Sequence, residues 1–339
     1  MQKLFNIDID RKIPKYLQIV NTVTNAIRLG KLKKGDHIFS INELSDEFLL
    51  SRDTVQKAYS LLRKKGVITA VKGKGFYVNR TDITTPFRIL LLFNKISNYK
   101  KQIYNAFVET MGNKAIVDLK IHHFSTELFE SLIMEYIDEY DYCVIMPHFY
   151  DDADEIYRII KKIPSEKLIL LDKDLPHTCS NYAGVYQDFK NDIYNALESG
   201  LHLISKYDKM ILVYPKIIPY PKEIIVGFRS FCTSYNIPYQ VINELDPKTV
   251  IHKKEVYIVI EETDLVTLIK SCQHRGLEIG KDIGIISYNE TPLKEILLDG
   301  ITVISTDHYK MGETAATLIL ENRKEKIKNP FVLIQRKSL

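Results

Sequence analysis

No run of eighteen apolar residues occurs in the 339-residue chain, which excludes a hydrophobic membrane-spanning helix. The opening residues, MQKLFNIDIDRK, lack the apolar core and small-residue cleavage site of a secretory signal, so a cytoplasmic location away from membranes is expected. Cysteine is scarce. Cys143, Cys179, Cys232 and Cys272 stand far apart with no CxxC pair, which argues against a disulfide framework and a zinc site and suits a reducing compartment. The signatures GxGxxG, GxxxxGKS/T, GxSxG and HExxH are also missing; no phosphate cradle, nucleophile elbow or zinc-binding helix is read. His122-His123 has no third ligand nearby in sequence and reads as a strand end. The expectation is a non-enzyme with no catalytic residue, no metal and no cofactor.

What is present is a charge asymmetry. Residues 1–80 hold 16 lysines and arginines against 7 aspartates and glutamates, a net of +9, while the rest holds 31 against 36, a net of −5. A small basic unit joined to a larger, mildly acidic one points to a polyanionic partner for the first unit alone. At this length more than one domain is expected.

In the basic unit, Tyr16, Leu17, Ile19, Val20, Val23 and Ile27 recur at helical spacing between Pro14 and Gly30. A turn at Lys34-Gly35-Asp36 follows. Ser40 and Glu43 have the spacing of a capping box, and Leu44 and Phe48 give that short helix an inward face. Ser51 caps a third helix whose buried stripe is Val55, Tyr59 and Leu62, leaving Arg52, Gln56 and Arg63 elsewhere. After Gly66 the period changes to that of strands, VITAV and FYVNR around KGKG. Three helices and a two-stranded hairpin make a winged helix-turn-helix. Its third helix can lie in a DNA major groove with Ser51, Arg52 and free N–H groups at its start, and the tip Lys72-Gly73-Lys74 suits a phosphate or a narrow minor groove. Arg52 could instead pair with Asp53 or Glu47 on a solvated helix end; the joint pattern favours DNA.

The segment from Lys12 to Val78 resembles the DNA-binding domain of the GntR family of bacterial transcription regulators. The matching landmarks are Pro-x-Tyr, the Gly-Asp turn, Ser-x-x-Glu-Leu, Ser-Arg-x-Thr-Val, and Gly-x-Gly before a strand. The resemblance implies double-stranded DNA contacts from Ser40, Asn42, Ser51, Arg52, Thr54, Gln56, Lys72, Gly73 and Lys74. Where the family usually has Pro before the capping serine, this chain has Phe39. Asn42 and Gln56 stand where Arg is common, so a less guanine-dependent operator is expected.

Polar residues 81–86 read as a linker. From residue 87 onward, apolar runs such as RILLLF, DYCVIMP, KLILLD, KMILVYP, VYIVI, IGIISYN and ITVIST alternate with amphipathic helical patterns. This predicts an α/β architecture of parallel sheets in two lobes of five or six strands. The boundaries expected are 1–80 for the DNA-binding domain and 87–339 for the rest. Lobe one covers about 87–204 plus 306–325, and lobe two about 207–304 plus 329–337. Ligands in such folds sit beyond the carboxyl ends of strands, in the cleft between lobes. The candidates there are Phe93 and Asn94, His148 and Phe149, Asp172 and Lys173, Gln187 and Asp188, Tyr214, Glu261 and Glu262, Asn289 and Glu290, and Asp307. Aromatic faces with amides and carboxylates suit a polyhydroxylated ligand.

The stretch GKDIGIISYNETPLKEILLDGITVISTDHYKMGETAATLIL resembles the last third of the LacI-type regulatory domain, itself similar to periplasmic sugar-binding proteins; VIMP, GVYQDF and IIVGF fit earlier landmarks. The resemblance implies ligand contacts from Asp188 and Asn289. The family's ligand-binding Arg, three residues before a Gly-Phe pair, is replaced here by Ile224, and Arg229 follows the pair instead. Together these features predict a homodimeric, ligand-responsive transcriptional regulator: a repressor of a carbohydrate operon released from its operator by a monosaccharide, with apolar helices such as QIYNAFVETM forming the dimer contact. The competing expectations are a DNA-binding domain fused to a catalytic domain, such as a pyridoxal-phosphate fold, and an effector that is not a sugar. A Schiff-base enzyme of that kind needs a longer second unit.

Overall fold

The computed structural model describes residues 7, 13–28, 30–82, 86–150, 153–175, 181–246 and 248–339. Residues 83–85 of the expected linker lie outside the described residues. The chain divides into two compact units. One comprises Met1–Arg88 with Asn113–Ile116 and Glu135–Asp141, and the other Ile89–Gly112, Val117–Met134 and Tyr142–Leu339.

The first unit contains α1 (Lys15–Arg28), β1 (His37–Ile38), α2 (Ile41–Glu47), α3 (Arg52–Lys64), β2 (Ile68–Val71) and β3 (Gly75–Val78). The carbonyl of Pro14 accepts from the Leu17 and Gln18 amides, starting α1. Ile19, Val23, Leu44, Val55, Tyr59 and Leu62 interlock as one buried cluster. Each contributes on the order of 1.5–3 kcal/mol by leaving water. The Tyr59 hydroxyl donates to the Phe39 carbonyl at 2.5 Å, so the buried ring keeps its polar end satisfied. Two residues more than the expected hairpin join the sheet: β1 pairs antiparallel with β3, giving the order β1-β3-β2. A two-residue strand has no periodicity to read.

The segment Glu135–Asp141 is part of this unit. Asp141 accepts from Asn25 Nδ2 at 3.0 Å, Arg28 Nη1 at 3.1 Å and the Arg88 amide at 2.9 Å. The Arg28 guanidinium also lies 4.8 Å from the Phe87 ring centre. Asp141 thus ties the last turn of α1, whose carbonyl end favours a cation, to the start of the next strands.

Those strands and helices are β4 (Phe87–Phe93), α4 (Asn98–Met111), β5 (Ala115–Ile121), α5 (Thr126–Tyr136), β6 (Tyr142–Ile145), α6 (Ala153–Ile160), β7 (Leu168–Asp172) and β8 (Ala183–Tyr186). Then come α7 (Phe189–Ser199), α8 (Leu201–Ile204), β9 (Lys209–Val213), α9 (Glu223–Ser234), β10 (Tyr239–Ile242), β11 (Glu255–Val259), α10 (Glu262–His274) and β12 (Ile283–Tyr288). The chain ends with α11 (Pro292–Ile296), β13 (Thr302–Thr306), α12 (His308–Leu320), β14 (Lys326–Lys328) and β15 (Phe331–Ile334).

They form two six-stranded sheets, β14-β8-β7-β6-β4-β5 and β10-β9-β11-β12-β13-β15. The inner strands pair in parallel, and every residue of β6, β11 and β12 is buried, which is why they read as unbroken apolar runs. One pair departs from the parallel expectation: β15 runs antiparallel to β13 at a sheet edge. The chain passes back and forth between lobes at the end. After β13 of the second sheet, α12 packs on α4 of the first lobe, β14 joins β8, and β15 returns to the second sheet.

Two expectations change. The apolar stripe of α4, expected at a dimer contact, is buried inside its own lobe: Ile103, Ala106 and Phe107 are covered where α12 crosses. Gly312 permits that crossing, since a Cβ there would stand 2.2 Å from the Ile103 carbonyl oxygen. The stretch DFKNDIYNALESGLHLISKY, which reads as one helical pattern from Asp188 to Tyr207, breaks at Gly200 into α7 and α8; a Cβ at Gly200 would meet a Leu333 methyl at 2.7 Å.

Candidate functional site

The first unit offers a basic surface built on α3 and the hairpin. Ser51 caps α3, accepting from the Thr54 amide at 3.2 Å, and its hydroxyl meets that of Thr54 at 2.8 Å. Arg52 and Gln56, one turn apart, are exposed beside the buried Val55 and Tyr59. Arg52 enters no ion pair among the described residues. Lys57 is held 4.1 Å over the Tyr16 ring. Ser40 and Glu43 form the reciprocal capping box: the Glu43 amide donates to Ser40 Oγ at 3.2 Å, and the Ser40 amide to Glu43 Oε2 at 2.7 Å. Ser40 therefore works as a cap, and Asn42 beside it is exposed. At the hairpin tip Lys72 and Lys74 are exposed, and Gly73 and Gly75 take φ of +75° and +98°, which glycine adopts without strain. A Cβ at Gly75 would also stand 2.7 Å from His37 Nε2. Sequence reasoning passed over Leu49, 87% exposed in the turn before α3 at φ +50°.

The second unit contains a cleft lined by Asn94, Lys100, His148, Asp172, Gln187 and Asn289. Asp172, the last residue of β7, sits at its floor in the left-handed region (φ +73°). His148 Nε2 donates to its Oδ2 at 2.7 Å, and Gln187 Nε2 donates to its Oδ1. Burial pushes the Asp172 carboxyl up, but the His148 and Gln187 hydrogen bonds and the nearby Lys100 charge outweigh it, and the carboxyl is held below its usual range. Burial lowers His148 while Asp172 opposes the fall, and its Nε2 donates to the carboxylate. Lys100, pulled down to about 7 by burial, donates to Asn94 Oδ1. His308, lowered by burial to about 4, has its ring 4.9 Å from that of Tyr99.

The opposite wall is a loop of Ile218, Pro219, Tyr220 and Pro221, with Ile224 of α9 behind it. Tyr220 donates to Glu261 Oε1 at 2.5 Å, and Lys95 lies 3.5 Å from the same oxygen. The buried Lys294 donates to the carbonyls of Tyr288 and Asn289 at 3.0 and 2.7 Å, fixing the end of β12. Three buried polar atoms at the cleft have no partner: Gln187 Oε1, Tyr288 Oη and His308 Nδ1. Buried polar atoms are rarely left so, and a polar ligand would satisfy them.

Of the candidates read from sequence, Asn94, His148, Asp172, Gln187 and Asn289 line the cleft. Their neighbours do not. Phe93 is buried within β4, Phe149 stacks on His122 at 4.5 Å, and Asp188 caps α7 with Asn191. At these loop positions just past the strands, the first residue of a named pair can turn in and its neighbour out, as for Gln187 and Asp188. Tyr214 donates to the Tyr220 carbonyl at 2.5 Å and braces the loop. Glu261 acts through Tyr220 and Lys95. Arg229 is exposed on α9, and Asp307 caps α12 through the Lys310 amide. Lys95, Lys100, Tyr220, Tyr288 and His308 were missed; Pro219 and Pro221 on either side of Tyr220 were the available signal. No group of three metal-binding side chains occurs among the described residues.

Residues 15–78 match the family model for bacterial regulatory proteins of the gntR family, and residues 205–339 that for the periplasmic binding protein-like domain. The chain is 26% identical over 271 residues to the HTH-type transcriptional regulator TreR of Bacillus subtilis, covering 78% of this chain and 94% of that one. It is 29% identical over 126 residues to the HTH-type transcriptional repressor YtrA of the same organism, covering 37% and 92%. Among solved structures, a dimeric Lac repressor with an 11-residue C-terminal deletion aligns at a TM-score of 0.62 and 14% identity, over 74% of this chain and 98% of that one. That likeness establishes the fold.

Proposed function

We propose, for a transcription regulator that joins a GntR-type winged helix to a LacI-type effector domain, that it is a homodimeric repressor of a carbohydrate-utilisation operon, released from its operator when a small sugar fills the cleft. The observation that carries the effector half is the set of three unpartnered buried polar atoms around the ionised Asp172. The exposed Arg52, Gln56, Lys72 and Lys74 support the DNA half: Arg52 and Gln56 reach base edges from α3, and the hairpin lysines meet phosphates. A paired reader requires a two-fold site with fixed half-site spacing. Sugar changes DNA affinity only if it binds the DNA-competent and DNA-free arrangements with different affinity.

The test begins with an operator selected from random duplex DNA and fluorescence anisotropy of the full chain, with and without monosaccharides that raise its melting temperature. Such a sugar should lower operator affinity. Arg52→Ala should lose about 10-fold or more of specific affinity, the size of one good base contact, and keep its thermal response to sugar. Asn289→Ala should do the reverse. Unchanged operator affinity at saturating sugar refutes the coupling.

A further inference from the structure

The cleft's charges and hydrogen-bond demands say more about the effector than that it is small. We infer that it is an uncharged sugar with one apolar edge, a deoxy sugar, and that the cleft rejects phosphorylated sugars. The inference rests on reading the cleft as the effector site.

The first argument is hydrogen-bond balance. Asp172 and Gln187 Oε1 are acceptors facing the cleft. Gln187 is fixed in orientation because its amide already donates to Asp172. Gln187 Oε1 has no donor, and Asp172, which already accepts one bond on each oxygen, has capacity for more. Sugar hydroxyls donate and accept, so they satisfy Asp172 and Gln187 as well as the Tyr288 hydroxyl, which burial keeps protonated. A phosphate dianion brings acceptors only, beside a carboxylate that is already ionised.

The second argument is that the usual anion-binding devices are absent or occupied. Among the described residues no arginine lines the cleft, and Ile224 is fully buried on its α9 wall. Lys95 is engaged by Glu261. Lys100 is buried, and its Nζ already donates to Asn94. Helix starts could serve instead, and three reach the cleft through Tyr99, Phe189 and His308. The starts of α7 and α12 already carry carboxylate caps, Asp188 and Asp307, and Ser97 caps α4. The third argument is the apolar wall: Phe124, Phe189 and Ile218 offer surface that ring C–H groups and a methyl cover and that a hydroxyl or phosphate does not.

The test is isothermal titration of the full chain with L-fucose, L-rhamnose, L-galactose (L-fucose with one more hydroxyl), glucose 6-phosphate, L-fucose 1-phosphate and inorganic phosphate. A deoxy sugar should bind, and L-fucose more tightly than L-galactose. The phosphorylated compounds should bind on the order of 100-fold more weakly, as for a like charge brought beside a buried carboxylate. Either phosphorylated sugar within tenfold of the best neutral one overturns the inference, and so does the absence of binding by every neutral sugar. Asp172→Asn keeps the shape and removes the charge, so the phosphate-to-sugar ratio of Kd should fall about tenfold or more; an unchanged ratio overturns the charge argument. The two readings fail separately. A sugar that binds without moving operator affinity refutes the regulatory coupling and leaves the ligand class. A phosphorylated sugar that moves operator affinity does the opposite.

Discussion

Asp141→Ala should loosen α1 from the segment it is tied to. Asp141 holds three donors, from Asn25, Arg28 and the Arg88 amide, and the Arg28 and Asp141 side chains are only 11% and 19% exposed. Removing one partner of a buried ion pair costs about 3–5 kcal/mol, because the other charge is left without compensation. Partial exposure lowers that figure, and the Arg28 guanidinium keeps its stacking on Phe87, an interaction worth about 0.5–1 kcal/mol. The net expectation is about 2–3 kcal/mol. Asp141→Asn, which keeps an acceptor, should cost roughly half as much. Denaturant melting gives the global figure, and hydrogen exchange of α1 amides shows whether the loss is local. A double-mutant cycle with Arg28→Ala should give a coupling above about 1 kcal/mol. A loss below about 0.5 kcal/mol, the range of an ordinary surface substitution, with unchanged α1 protection, refutes the reasoning.

Other outcomes follow from single contacts. Lys74→Ala should weaken DNA binding across all sequences and reduce the slope of affinity against salt by about one ion, read by anisotropy from 50 to 200 mM salt. Gly312→Ala should destabilise the first lobe by about 1–3 kcal/mol in thermal melting, because the new Cβ would meet backbone at 2.2 Å. His308 titrates near 4 in the folded chain because of burial, so between that value and its ordinary value of about 6.5 the unfolded chain binds more protons. Its contribution is therefore complete above pH 6.5 and lost as pH falls toward 4, up to roughly 3 kcal/mol. His308→Gln should flatten stability over that interval in melts between pH 4 and 7.

Much of the fold was legible because its devices are local. Ser40 and Glu43 announce a capping box by spacing alone, and it forms. The fully buried strands stand out because helices cover both faces. β14 (Lys326–Lys328) did not stand out, since a short polar edge strand takes its register from β8 and not from its own pattern. The break between α7 and α8 was hidden because Leu333, more than a hundred residues later, fills the space above Gly200. Strand ends pointed to residues that line the cleft but not to which neighbour faces it: Asn94 and Gln187 turn in, Phe93 and Asp188 do not. Lys100 sits in a helix that reads as ordinary amphipathic surface, and only the tertiary fold buries it beside Asp172.

The way the chain crosses between lobes sets an order on its synthesis. The part of α4 that α12 covers stays open until α12 is made, about 200 residues later, or on the order of 10–40 s at ordinary ribosomal speed. Throughout that interval the nascent chain presents an uncovered apolar helix, a natural substrate for a holding chaperone. A ribosome that stops within β13 would release two unfinished lobes, not one good lobe and a fragment. Both halves of the sensor are completed in the last stretch of translation.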